Sequence, residues 1–167
     1  MKKFDSVPEE YEVLVTAADM ASRTAYNPYS GFSVGAALRS LIDDLVITGS
    51  NVENAAYGSS ICAERAAILR ANAIGRRWFT AIAIIGRGRD FDCPEVVAPC
   101  GACRQVICEM GQIIGYDIDV VMSNSAQTKV IVAKISELLP LAFGPKDLGI
   151  DLRQFLPDHI KAALKHD

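Results

Sequence analysis

The feature that most constrains the fold is the apolar run at residues 79–85. A run this short and continuous suits a strand buried on both faces of a sheet, as in layered α/β proteins. The flanking segments read as the helices such a strand needs. Residues 62–73 are rich in Ala, Glu, Arg, Ile and Leu, and Gly75 follows where a C-terminal stop is expected. Residues 100–110 give a second helix, opened by Pro99 and closed by Gly111. Upstream, Tyr11, Leu14, Val15, Ala18 and Met20 recur at roughly helical spacing over residues 9–24, and the turn formers Tyr26-Asn27-Pro28-Tyr29-Ser30-Gly31 end that run.

Residues 32–38 and 45–48 read as strands joined by an acidic turn at Asp43-Asp44, and residues 116–122 and 129–133 as two more. A short helix follows at 135–139. The order αββαβαββα predicts a three-layer α/β/α sandwich around a five-stranded mixed sheet. With 167 residues the chain has the length of one domain. Residues 1–147 form it, and residues 148–167 form a weakly amphipathic tail carrying Phe155, Leu156, Ile160 and Leu164, with no role assigned.

Composition excludes several functions. The formal net charge of −3 is far from the basic balance a phosphate backbone demands, which argues against a nucleic-acid polymer as partner. No apolar run approaches the roughly 18 residues of a membrane span, so no membrane partner is expected. Acids follow Lys2 and Lys3 where a secretory signal would place its apolar stretch. Five cysteines, an odd number, do not suggest a disulfide framework; cytoplasmic thiols or metal ligands fit better. Arg70, Arg76, Arg77, Arg87 and Arg89 read as a solvated basic face.

Three of the cysteines, Cys62, Cys100 and Cys103, stand at the starts of predicted helices. Unpaired N–H groups and the positive end of the helix dipole lower a thiol's pKa there and favour the thiolate that zinc requires. In the Cys100-x-x-Cys103 spacing, both side chains share one helix face and can grip one ion. Cys108 lies five residues past Cys103 and is turned about 140° away, so it reads as a packing thiol. Cys93 reads the same way, although as a fourth thiolate it would close a structural Cys₄ site. The two histidines, His159 and His166, read as solvated tail residues. Three thiolates with no fourth protein ligand leave a position open, the mark of catalytic zinc. Glu64, two residues from Cys62, then stands where a carboxylate can carry protons without ligating the metal.

The motifs Cys62-Ala63-Glu64 and Pro99-Cys100-Gly101-Ala102-Cys103-Arg104-Gln105, with 37 residues between Cys62 and Cys100, resemble those of the cytidine deaminases. The likeness runs over about residues 26–148 and includes Phe32-Ser33-Val34-Gly35-Ala36-Ala37, Asn51-Val52-Glu53-Asn54-Ala55, Leu138-Leu139-Pro140 and Phe143-Gly144-Pro145. It is to the short-chain, all-cysteine branch, whose members are usually homotetramers. Tyr57-Gly58-Ser59-Ser60 departs from the loop of many relatives.

The resemblance implies one zinc ion per chain on Cys62, Cys100 and Cys103, with Glu64 as the catalytic proton carrier. Three thiolates leave a zinc centre formally at about −1, which weakens its power to acidify water. Two helix N-termini offset that charge, and Arg65 occupies the family position that hydrogen-bonds the thiolates. By the same resemblance, Asn51 and Glu53 bind ribose hydroxyls and Phe32 packs at the base. Backbone groups of Ala63, Ala98 and Cys100 read the pyrimidine edge, and Phe143 completes the active site of a neighbouring chain. The implied reaction converts cytidine and 2′-deoxycytidine to the uridines with release of ammonia, in cytoplasmic pyrimidine salvage. Rivals are a deaminase of a related aminopyrimidine such as a nucleoside antibiotic, a structural zinc module, and a polynucleotide editor, which the net charge opposes.

Overall fold

The computed structural model describes residues 1–43 and 45–164. Its centre is β4 (Phe79–Gly88), whose side chains are buried on both faces, as the apolar run requires. Before it come β1 (Lys2–Phe4), α1 (Glu12–Ser22), β2 (Phe32–Ser40), β3 (Val46–Ser50) and α2 (Ala63–Ala73); after it come α3 (Gly101–Ile114), β5 (Asp119–Ser123), β6 (Val130–Lys134), α4 (Ile135–Leu138) and α5 (Asp158–Ala163). The strands form one mixed sheet in the order β1-β6-β5-β4-β2-β3. β4 and β5 are parallel and are joined by α3, because parallel neighbours need a crossover; every other pair is antiparallel. Asp43 of the expected acidic turn lies between the paired β2 and β3; Asp44 and His166 lie outside the described residues.

Strand alternation sorts the core into two layers. Ala36, Leu38, Ile82, Ile84, Val120 and Met122 pack with Ala67, Ile68 and Ala71 of α2 and Ile107 of α3. On the other face, Ala37, Ala81, Ala83, Ile85 and Val121 pack with Leu14, Val15 and Ala18 of α1. This is the predicted sandwich, with one correction: the sheet has six strands, not five. The added strand is β1, where Lys2, Lys3 and Phe4 pair with Val132, Ile131 and Val130. Three residues, two of them lysines, carry no apolar alternation, and a charged short edge strand is a common way to blunt a sheet edge.

Two close approaches position the functional end. At Gly49 of β3 a side-chain carbon would lie 2.3 Å from the backbone nitrogen of Ala67 and 2.8 Å from the carbonyl oxygen of Ala63, so α2 rests directly on the strand backbone. Beyond β3, Val52 pairs with Ile61 through two reciprocal 2.9 Å backbone hydrogen bonds, while Tyr26 and Glu53 bond across at 2.7 Å. The segment around Asn51 and Glu53 is thereby held next to the start of α2.

At the opposite end, Leu156 and Ile160 of the tail pack with Trp78 and Ile114 in a third apolar cluster. His159 is exposed, with its ring edge-on to Trp78 at 6.1 Å between centroids. The arginines do not form one solvated face. Arg87 pairs with the buried Asp19 of α1, Arg76 with Asp43 at 2.6 Å, and Arg70 bonds Thr48.

Candidate active site

Cys62 is the N-cap of α2 and Cys100 the N-cap of α3; both have extended backbone, which directs each chain into its helix. Cys103 follows in the first turn of α3 and is fully buried. The crossover brings the two helix starts together, so the three sulfur atoms lie within 4.8 Å of one another and Cys62 Sγ is 4.0 Å from Cys100 Sγ. Cys93 is outside this group, its backbone tied to Ser125 after β5, and Cys108 is packed in the core. Three convergent sulfur donors at two helix N-termini fit a soft, tetrahedral divalent ion such as zinc. The adjacent Cys103 thiol holds the Cys62 thiol well below its ordinary range, and the same contact pushes Cys103 up.

Arg65 Nη2 lies 3.8 Å from Cys62 Sγ and 3.0 Å from the Ser60 carbonyl oxygen, a geometry that pulls positive charge onto the sulfur. Glu64 stands in the first turn of α2, next to Arg65, and is only 4% exposed. Burial pushes its carboxyl above the usual carboxylate range, and the nearby Cys62 charge adds to that shift. It is the one acid within the described residues that is so deeply buried at the thiol cluster.

The other expected residues surround this cluster. Ala63 is buried in the first turn of α2, whereas Ala98 is exposed on the approach to α3. Phe32, at the start of β2, lays its ring over Gly86 of β4, 3.1 Å from where a side-chain carbon would stand, and Val97 closes the same space at 2.8 Å. The Asn51 amide clips that strand: Oδ1 accepts from Val34 N–H at 2.7 Å and Nδ2 donates to the Phe32 carbonyl at 2.9 Å. Glu53 opens onto a cleft of ≈340 Å³ lined by Tyr29, Ser30, Glu53, Tyr57 and Ser60. Its carboxylate accepts from the N–H groups of Tyr29 and Ser30 and from the Ser30 hydroxyl, and the hydroxyl bond holds it below the usual range. Phe143 is 62% exposed on a loop fixed by a 2.9 Å bond from Gln105 to its carbonyl. Tyr29, Ser30 and Ser60 carry no periodicity and match no ligand spacing, so the sequence gives no signal that they line the cleft.

A mixed-sheet sandwich that presents three thiols and a buried, non-ligating carboxylate at two helix starts defines a metal-dependent hydrolytic site. The comparisons agree. Residues 8–115 match the family model described as "Cytidine and deoxycytidylate deaminase zinc-binding region". A cytidine deaminase from Halalkalibacterium halodurans is 43% identical over 83% of this chain and 97% of its own, and one from Mycobacterium tuberculosis 37% identical over 86% and 97%. The crystal structure of cytidine deaminase from Burkholderia pseudomallei superposes with a TM-score of 0.70 at 44% identity, covering 82% of this chain and all of that one. The chain belongs to the cytidine and deoxycytidylate deaminase family, and its cofactor is zinc. No helix among the described residues is long and apolar enough to cross a membrane.

Proposed function

We propose that this protein is a zinc-dependent nucleoside deaminase that hydrolyses cytidine and 2′-deoxycytidine to uridine and 2′-deoxyuridine, releasing ammonia in pyrimidine salvage. The observation that carries the proposal is Glu64, a buried acid beside three converging thiols. Cys62, Cys100 and Cys103 hold the zinc, which when bound supplies the Lewis acidity that makes water a nucleophile near neutral pH. Glu64 takes the proton of the water that attacks C4 and delivers it to N3. The same carboxyl then takes the proton of the hydroxyl newly formed on C4 and passes it to the departing amine, so that the C4 carbonyl forms as the C4–N bond breaks and the products are uridine and ammonia. A carboxyl whose burial raises its proton affinity suits both transfers.

The remaining side chains bind and orient. Arg65 offsets thiolate charge through its contact with Cys62. Glu53 and the spare N–H of Asn51 take sugar hydroxyls, Phe32 packs at the base, and backbone groups of Ala63, Ala98 and Cys100 read the pyrimidine edge. Phe143, which its own chain leaves mostly exposed, supports a homotetramer in which the ring completes a neighbour's site. Five free thiols suit the reducing cytoplasm.

Glu64→Gln tests the reading. An amide keeps the shape and cannot shuttle protons, so kcat should fall about 10²- to 10⁴-fold or more while zinc content stays at wild-type level. Activity within about tenfold of wild type in a fully metallated sample overturns the role.

A further inference from the structure

We propose that Ser30 is a positioning residue for nucleoside binding, its single hydroxyl joining the carboxylate that holds the sugar to the strand that carries the base-packing ring. The proposal rests on the reading of Glu53 and Phe32 given above. Ser30 Oγ donates to Glu53 Oε1 and at the same time accepts from the Phe32 N–H at 3.0 Å. Its own N–H donates to Glu53 Oε2 at 3.1 Å, beside that of Tyr29 at 3.0 Å. On the far side, the Phe32 carbonyl accepts from Asn51. One chain of hydrogen bonds therefore runs Glu53, Ser30, Phe32, Asn51, and Ser30 is the only member without an assigned contact to substrate.

The geometry also limits what Glu53 can accept. A carboxylate has about four acceptor positions. Tyr29 and Ser30 N–H groups fill Oε2, and the Ser30 hydroxyl takes one position on Oε1, which leaves room on Oε1 for one sugar hydroxyl facing the cleft. The Ser30 hydroxyl fixes the direction in which that position faces. The loop that presents it is anchored independently: Asn27 Nδ2 donates to Ser33 Oγ at 2.9 Å and Gly31 N–H to the Asn27 carbonyl at 3.0 Å. Removing the hydroxyl should thus leave Oε2 on its two N–H donors and let Oε1 swing about it without unfolding the loop.

The test compares holoenzyme carrying S30A, S30T, E53Q and the S30A/E53Q pair, by cytidine kinetics, thermal melting and zinc content. Loss of ground-state positioning should appear in S30A as a KM raised about tenfold with kcat kept within about threefold, at wild-type melting temperature and zinc content. S30T, which keeps the hydroxyl, should recover wild-type KM to within about threefold, and the double variant should match E53Q, because the two side chains act as one unit. A normal KM in S30A alongside an impaired E53Q overturns the proposal, as does a double variant whose defects multiply or an S30T as poor as S30A. Wild-type behaviour of E53Q overturns instead the sugar-binding reading on which the proposal stands.

Discussion

Replacing Gly49 by alanine tests whether the placement of α2 on β3 sets the geometry of the site. The new carbon would stand 2.3 Å from the Ala67 nitrogen and 2.8 Å from the Ala63 oxygen, both backbone atoms of the helix that begins at Cys62. No side-chain rotation relieves a contact with backbone, so α2 must lift by roughly 1 Å to reach ordinary van der Waals separation. Overpacking of this kind costs about 1 to 3 kcal/mol, and the lower chain entropy of alanine in the unfolded state returns about 0.4 to 1 kcal/mol of it. The net cost is then at most about 2.6 kcal/mol, and at about 2 to 4 °C per kcal/mol for a chain of this size Tm should fall by up to roughly 10 °C. A displacement of about 1 Å of Cys62 and Glu64 should also lower kcat/KM by about 10²-fold. Calorimetry and steady-state kinetics on G49A read both, with G58A as control, since nothing lies within 4 Å of a carbon added at Gly58. A G49A protein with unchanged Tm and kcat/KM within about threefold of wild type would refute the reasoning.

Metal analysis should find that Cys103→Ser loses zinc, because one of three converging ligands is gone, whereas Cys93→Ser retains one ion per chain; loss of metal from a folded Cys93→Ser protein would establish a closed structural site instead. Phe143→Ala should raise KM with zinc retained, by a factor corresponding to a lost ring contact of about 1 to 3 kcal/mol, and light scattering on the wild type should give a tetramer. A fully active monomer at assay dilution would contradict the shared site.

The parts of the fold that were legible in sequence are those with strong periodicity. The double-sided burial of β4, the amphipathic α1 and the two cysteine-led helices follow from residue pattern alone. The end of α3 does not. Gly111 reads as a stop, yet the helix runs on to Ile114, and Gly115, at φ +70°, ends it in the left-handed conformation that glycine accepts freely. Gly111 instead lets the Tyr116 carbonyl approach the helix, with only 2.5 Å left for a side-chain carbon, a tertiary demand that no local pattern records. β1 is invisible for the same reason, since its order comes from tertiary contacts: its pairing with β6 and the packing of Phe4 against the α1 face of the sheet. In the site, the thiols and Glu64 carry spacing and chemistry that can be read directly, whereas Arg65 is given only by the family resemblance. Ser30 does not, because its importance lies in joining Glu53 to Phe32 across a loop. The tail reads as weakly amphipathic, and the structure gives that amphipathicity its object in Trp78 and Ile114, which shelter Leu156 and Ile160.

Ammonia release from cytidine and 2′-deoxycytidine, followed on the same protein before chelation, after chelation and after zinc is restored, tests the central claim most directly. The account predicts uridine and ammonia in equal amounts, loss of turnover with the metal, and full recovery at one zinc per chain. Undiminished turnover in the metal-free protein, or no ammonia from either nucleoside when zinc is fully bound, would contradict it.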